Sequence, residues 1–234
     1  NQDQPGSDGI GDTPYIIMDA LHYQEEDQYP LMNPWASADI TSPVTTISLN
    51  GVSGDDGWFI SDVTVTLSAT DDTEVDKTEY SLDNSNWITY MAPFTVNDEG
   101  YIKVHYKSID KTGNQETTKT ATIKIDKTPP TGTIIINGGD AYTISTSVTL
   151  TSTPTDAASG VREVRFSNDG VWDDEPWEVP AATKDWALLS GDGIKTVYVQ
   201  YVDNAGLVSQ SYSATITLDT APPSIVITSP SPGY

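Results

Sequence analysis

Aspartates spaced by glycine are the residues whose types and intervals suggest chemistry in this chain, and that chemistry is the binding of a hard cation. Asp8-Gly9-Ile10-Gly11-Asp12 reads as a carboxylate, a glycine for a tight turn, a backbone carbonyl at Ile10, then a second carboxylate. This is the order of the second half of a calcium loop. Asn1 and Asp3 can add oxygens from the other side, although Pro5-Gly6-Ser7 interrupts a full EF-hand order. A second group is Asp71, Asp72 and Asp76 with Asp110 and Asn114, and a third is Asp156 with Asp203, Asn204 and Asp219. Asp126 stands at the end of one repeat as Asp219 stands at the end of the next. Every donor is a hard oxygen, a set that suits Ca2+ and disfavours copper or zinc. The competing account is that Asp and Asn serve turns through side-chain to backbone hydrogen bonds.

The surroundings of these residues favour cations as partners. The chain has 234 residues and a formal net charge of -23, and no Lys or Arg precedes Lys77. Nucleic acid and anionic lipid are excluded, because each phosphate contact needs a cation that this surface does not supply. Cysteine is absent, which removes thiolate metal sites, redox chemistry and disulfide staples. No apolar run reaches the length of a membrane span or a signal peptide, so membrane insertion is not expected. A chain that starts at Asn1 is expected to be a processed product or a piece of something longer.

The elements that must position the aspartates are read from an internal repeat. "VTVTLSATDDTEVDKTEYSLDNSNW…YIKVHYKSIDKTGNQETTKTATIKIDKTPP" is echoed by "VTLTSTPTDAASGVREVRFSNDGVW…IKTVYVQYVDNAGLVSQSYSATITLDTAPP". Asp110-Lys-Thr-Gly113 matches Asp203-Asn-Ala-Gly206, and Asp126 with its Pro-Pro pair matches Asp219 with its own. "TTISLNG", "VTVTLSAT", "KTEYSL", "PFTV", "YIKVHYKSID" and "KTATIKID" alternate apolar and polar residues between Asp, Asn and Gly turns, which predicts short strands with one buried face. The fold class expected is all-β. Two tandem sandwiches, over 41–128 and 129–221, follow an irregular Asp/Gly-rich segment over 1–40. The segment 222–234, with "SIVITSPSPGY" after its Pro-Pro pair, parallels the first strand after Pro130 and reads as the start of a further repeat.

Two resemblances follow from these strings. "DGIGDTPYIIMD…EDQYPLMNPW" looks like the C-terminal end of the NosD-type right-handed β-helix proteins of archaeal cell surfaces. With one His, two Met and no Cys in that stretch, the copper role attached to that family is not expected here. "TEYSLDNSNWITYMAPFTV" followed by "SIDKTGN", with "IKTVYVQYVDNAG" in the second copy, resembles the immunoglobulin-like modules found in tandem on large bacterial and archaeal extracellular proteins. That resemblance implies surface display, spacing and adhesion.

Trp87 and Trp177 occupy equivalent places in the two copies and are expected in the cores. Trp58, Trp172 and Trp186 lack such partners, and Trp172 in "VWDDEPW" offers a ring for a sugar. His22 and His105 are the only histidines, and neither lies beside a nucleophile elbow. The expected function is therefore that of an extracellular structural or adhesive surface protein, not an enzyme. Its modules would be stabilised by Ca2+ at Asn1, Asp3, Asp8, Ile10, Asp12, Asp71, Asp72, Asp110, Asp126, Asp203 and Asp219. Its partners would be neighbouring copies of itself or other surface proteins, joined in a filament or layer by strand addition through the end segments. The alternative is a carbohydrate-binding accessory region acting on cell-surface glycans.

Overall fold

A computed structural model describes residues 39–226, and they form two β-sandwiches in succession. In the first, β1 (Val44–Asn50), β2 (Val63–Thr70), β3 (Val75–Ser81), β4 (Ile88–Thr89), β5 (Phe94–Val96), β6 (Gly100–Asp110) and β7 (Lys119–Ile125) build two sheets. Their orders are β1-β2-β5 and β4-β3-β6-β7, every pairing antiparallel. The second contains β8 (Ile134–Ile136), β9 (Tyr142–Thr143), β10 (Ser147–Ser152), β11 (Val161–Ser167), β12 (Lys184–Ala187), β13 (Gly193–Asp203) and β14 (Tyr212–Leu218). Its sheets run β12-β10-β8 and β11-β13-β14-β9.

The strands form where period-two patterning and Thr, Val, Ile and Tyr content favour a pleated, half-buried surface. In β2, Val63, Val65 and Leu67 face inward while the intervening threonines face out. They meet Val104 and Tyr106 of β6 and Ile123 and Ile125 of β7 across the sandwich. The second core repeats the arrangement with Val148 and Leu150 of β10, Val164 and Phe166 of β11, Val197, Val199 and Tyr201 of β13, and Ile216 of β14. Tyr201 is fully buried, and its hydroxyl donates to the Thr133 carbonyl at 2.8 Å, so its polar tip is satisfied inside the core.

The four-stranded sheets differ at their edges. β9 joins β14 in parallel, while the first sandwich has only an isolated parallel bridge from Phe59 to Ile125 at the same edge. Phe59 belongs to the loop between β1 and β2, which therefore stitches β7 on one side and remains free to reach beyond its own module on the other.

The tryptophans are distributed differently from the sequence expectation. Among the described tryptophans Trp58 is the buried one, 3% exposed and edge-on to Tyr101 at 5.0 Å. Trp87 and Trp177 are half-buried and cover cations, Lys107 at 4.3 Å and Arg165 at 4.5 Å from the ring centres. Their equivalence reflects a shared cation–π cover on the outer face of each larger sheet.

Candidate metal centre

The inward period of the long central strand carries its last residue to the pole of each sandwich. In β6 the inward set is Val104, Tyr106, Ser108 and Asp110; in β13 it is Val197, Val199, Tyr201 and Asp203. An aspartate at the fourth inward position is buried by the same alternation that buries the valines. Asp110 is 2% exposed and Asp203 is fully buried. The loop after β2 or β10 brings Asp71 or Asp156 to the same pole, and the segment leading into each sandwich brings Asp39 or Asp126.

At the second pole Asp126, Asp156 and Asp203 each present an oxygen, and these lie within 4.8 Å of one another. Two oxygens on one calcium ion, at about 2.3–2.6 Å each, can stand no more than roughly 5 Å apart, so the group has the required compactness. Asp126 Oδ1 accepts the Thr128 N–H at 3.1 Å and its Oδ2 accepts the Ser159 N–H at 3.1 Å. Asp156 Oδ1 takes the Ser159 and Gly160 N–H groups at 3.0 and 2.6 Å. Asn204 fixes that loop by donating to the Ser159 and Gly160 carbonyls. Asp203 Oδ1 accepts the Leu207 N–H at 2.8 Å, but its Oδ2 is buried with no hydrogen-bond partner. Burial, and then the charges of Asp126 and Asp156, push the Asp203 carboxyl up to about 6. Among the described residues no lysine or arginine forms an ion pair with any of the three. A buried carboxylate oxygen facing two other carboxylates costs free energy unless a positive group joins them. Oxygen donors alone suit a hard divalent cation.

The first pole is rich in the protein's own donors, although each threonine hydroxyl has one proton for the two carboxylates it faces. Asp39, Asp71 and Asp72 converge there, with Asp110 beside them. Thr41 Oγ1 lies 2.7 Å from Asp39 Oδ1 and 2.6 Å from Asp72 Oδ1, and Thr73 Oγ1 lies 2.8 Å from both Asp39 Oδ2 and Asp71 Oδ2. Asp110 Oδ1 receives the Thr112 N–H, the Thr112 hydroxyl and the Asn114 N–H, and its Oδ2 receives the Asn114 amide at 2.8 Å. Burial works against its ionisation, yet these donors hold the Asp110 carboxyl below the ordinary value. Thr41 and Thr73 hold Asp39 down to about 2.

Asp126, Asp203 and Asp156 thus meet as one group, while Asp219 lies elsewhere. It follows β14, at the Gly193 end of β13, a strand whose eleven residues place it roughly 30 Å from Asp203. It is exposed, with Oδ1 accepting the Ala221 N–H. Asp126, which ends the first module, therefore belongs to the pole of the second. Asp76 is exposed and outside the first cluster. Asn1, Asp3, Asp8, Ile10 and Asp12 lie outside the described residues.

The sequence reading overlooked the loop between β1 and β2. Its turn, closed by the Trp58 N–H to the Asp55 carbonyl, pushes Asp55 against the second sandwich. The Asp55 N–H donates to the Ala205 carbonyl at 2.9 Å, and Arg162 donates to Asp55 Oδ2 at 2.8 Å. The approach leaves no room for side chains: a Cβ on Gly54 would stand 2.4 Å from the Ala205 oxygen, and one on Gly206 2.8 Å from the Asp55 carboxylate. The only advance signal was glycine on both partners. Gly54→Ala is expected to open the junction at an overpacking cost of about 1–3 kcal/mol. Small-angle scattering should then give a larger radius of gyration with unchanged β-sheet circular dichroism; an unchanged radius would mean that the contact does not hold the modules together.

No protein-family model matches the chain. No curated protein matches it either. Solved structures do. The fibronectin(III)-like modules of Clostridium thermocellum CbhA align over 74% of this chain and 94% of theirs at 16% identity, with a TM-score of 0.35. The D00-D0 domain of intimin aligns over 74% of this chain and 100% of its own at 12% identity and a TM-score of 0.40. A tetra-tandem repeat from the extending region of a large adhesion protein aligns over 76% of this chain and 50% of its own at 14% identity and a TM-score of 0.33. By its own sheets the chain is an all-β protein of two successive sandwiches.

Proposed function

We propose that the chain is a structural strut of an extracellular or cell-surface protein, whose two sandwiches are held in line by Ca2+ at Asp126, Asp156 and Asp203. The observation that carries this reading is the buried, unpartnered Asp203 Oδ2, in a carboxylate group to which the linker and the second sandwich both contribute. The ion would supply the missing positive charge and tie Asp126, the last residue of the first module, to the loops of the second. Backbone contacts through Asp55 and Ala205 place the modules for that clamp. Spacing and adhesion, not turnover, suit such an arrangement. His105 is engaged with Thr120 on the sheet surface at 2.9 Å.

The partners of a strut are its neighbours in an array, either copies of itself or other surface proteins. Ile225 and Val226, after the second sandwich, are 87% and 84% exposed, and a neighbouring sheet edge could pair with them by strand addition. The glycan alternative draws less support, because Trp172 and Trp177 both stack on Arg165, at 4.7 and 4.5 Å. No helix among the described residues is long and apolar enough to cross a membrane.

The test is thermal unfolding in millimolar Ca2+, in Mg2+ and in chelator at one ionic strength, with scattering on the same samples. A cation that binds only the folded state at a hundredfold excess over Kd adds about 2.7 kcal/mol. A rise with Ca2+, together with a narrower spread of lengths, is expected. Equal curves in Ca2+ and chelator would remove the clamp.

A further inference from the structure

We infer, resting on the reading of the second junction as a calcium clamp, that the second and fourth residues after the strand-end aspartate decide how a junction is closed. Thr and Asn at these places close it with the protein's own hydrogen bonds; Ala and Leu leave it to a cation. The two poles make the comparison within one molecule. After Asp110 come Thr112 and Asn114; after Asp203, at matching places, come Ala205 and Leu207.

Each difference removes a donor. The Thr112 hydroxyl donates to Asp110 Oδ1 at 2.9 Å, and Ala205 has no hydroxyl. The Asn114 amide donates to Asp110 Oδ2 at 2.8 Å and to the Asp39 carbonyl at 3.0 Å; Leu207 contributes only its backbone N–H, to Asp203 Oδ1. The oxygen that Asn114 satisfies in the first module is thus the one left bare and buried in the second. The linker follows suit. Thr41 turns its one hydroxyl proton to the Asp39–Asp72 pair, whereas Thr128 turns its hydroxyl to Glu99, at 3.0 and 3.1 Å from its two oxygens, and leaves Asp126 to the cluster. A neutral amide and a divalent cation answer the same electrostatic need by different means. The amide gives a junction independent of the medium, and the ion gives one set by its calcium content.

The experiment follows backbone amide shifts of the full chain by two-dimensional NMR during Ca2+ titration, with Mg2+ as control. In the wild type, Ser159 and Gly160 should move and Thr73 and Thr112 should not. Leu207→Asn, which places an amide where Asn114 has one, should weaken the Ca2+ response of Ser159 and Gly160 at least tenfold. Asn114→Leu should create a Ca2+ response at Thr73 and Thr112. Each variant tests the rule without the other, and a dispersed spectrum reports that it has folded. If both sets of wild-type amides respond, or Leu207→Asn binds as before, the two-residue rule is overturned while the clamp stands. If neither set responds in the wild type, the clamp itself fails and the rule with it.

Discussion

Asp203→Asn is expected to be more stable than the wild type in a chelating buffer and less stable in saturating Ca2+, so the two stability curves exchange order. Asparagine keeps the oxygen that receives the Leu207 N–H and replaces the unpartnered Oδ2 with an N–H2 donor facing Asp126 and Asp156. It removes a buried charge that has two like charges as neighbours, and a buried charged group without its partner costs about 1–3 kcal/mol or more. Without calcium that cost should be recovered as a melting temperature several degrees higher. With calcium the wild type gains RT ln(1 + [L]/Kd), while the variant, having lost one of three carboxylates, loses most of that gain. Differential scanning calorimetry in both buffers measures it. A variant that is destabilised in chelator, or that keeps the full calcium shift, would show that Asp203 is satisfied within the protein.

The same comparison shows how far residue patterns reach. Strands with a clean period of two were legible: "VTVTLSAT" and "YIKVHYKSID" became β2 and β6 nearly residue for residue. The repeat also placed Asp110 and Asp203 at equivalent ends. The groupings of Asp71 and Asp72 with Asp110, and of Asp156 with Asp203, were legible too, but that Asp126 and not Asp219 completes the second was not, because that depends on strand length. An eleven-residue strand separates the aspartate that ends β13 from the one that follows β14, so Asp126, distant in sequence from Asp156, meets it while Asp219 does not. Equivalence between copies also misled for Trp87 and Trp177, since a position can be repeated for a surface role as readily as for a core one. The loop carrying Asp55 gave no periodic signal, because a contact between modules depends on backbone approach at Gly54 and Gly206 more than on any side-chain pattern.

One buried acid gave no sequence signal and sets the second large prediction. Glu116 is 5% exposed and gathers three strands. Its carboxylate accepts the Thr45 N–H at 3.1 Å, the Thr45 hydroxyl, the Ser108 N–H at 2.9 Å and the Lys119 ammonium at 2.8 Å. Burial pulls its ionisation the unfavourable way, but Lys119 and Thr45 outweigh it and hold the carboxyl below its usual value. A folded value below the unfolded one of about 4.3 means that the stabilisation is full above that pH and is lost as pH falls through the depressed value. Glu116→Gln should therefore cost the first sandwich about 1.5–3 kcal/mol at neutral pH, the range for hydrogen bonds to a charged group. The gap to wild type should close as pH falls through that depressed value. Urea unfolding at several pH values, read by amide NMR signals of the first module, checks both parts; a gap that is small at pH 7, or constant with pH, would refute them. In the second sandwich Ser209 stands at the matching place, and its hydroxyl accepts the Tyr201 N–H at 3.0 Å. A hydroxyl does not titrate in this range, so at this position only the first module loses a latch to acid. The first module holds its edge strand through a carboxylate that acid neutralises, and the second has a hydroxyl at the matching place.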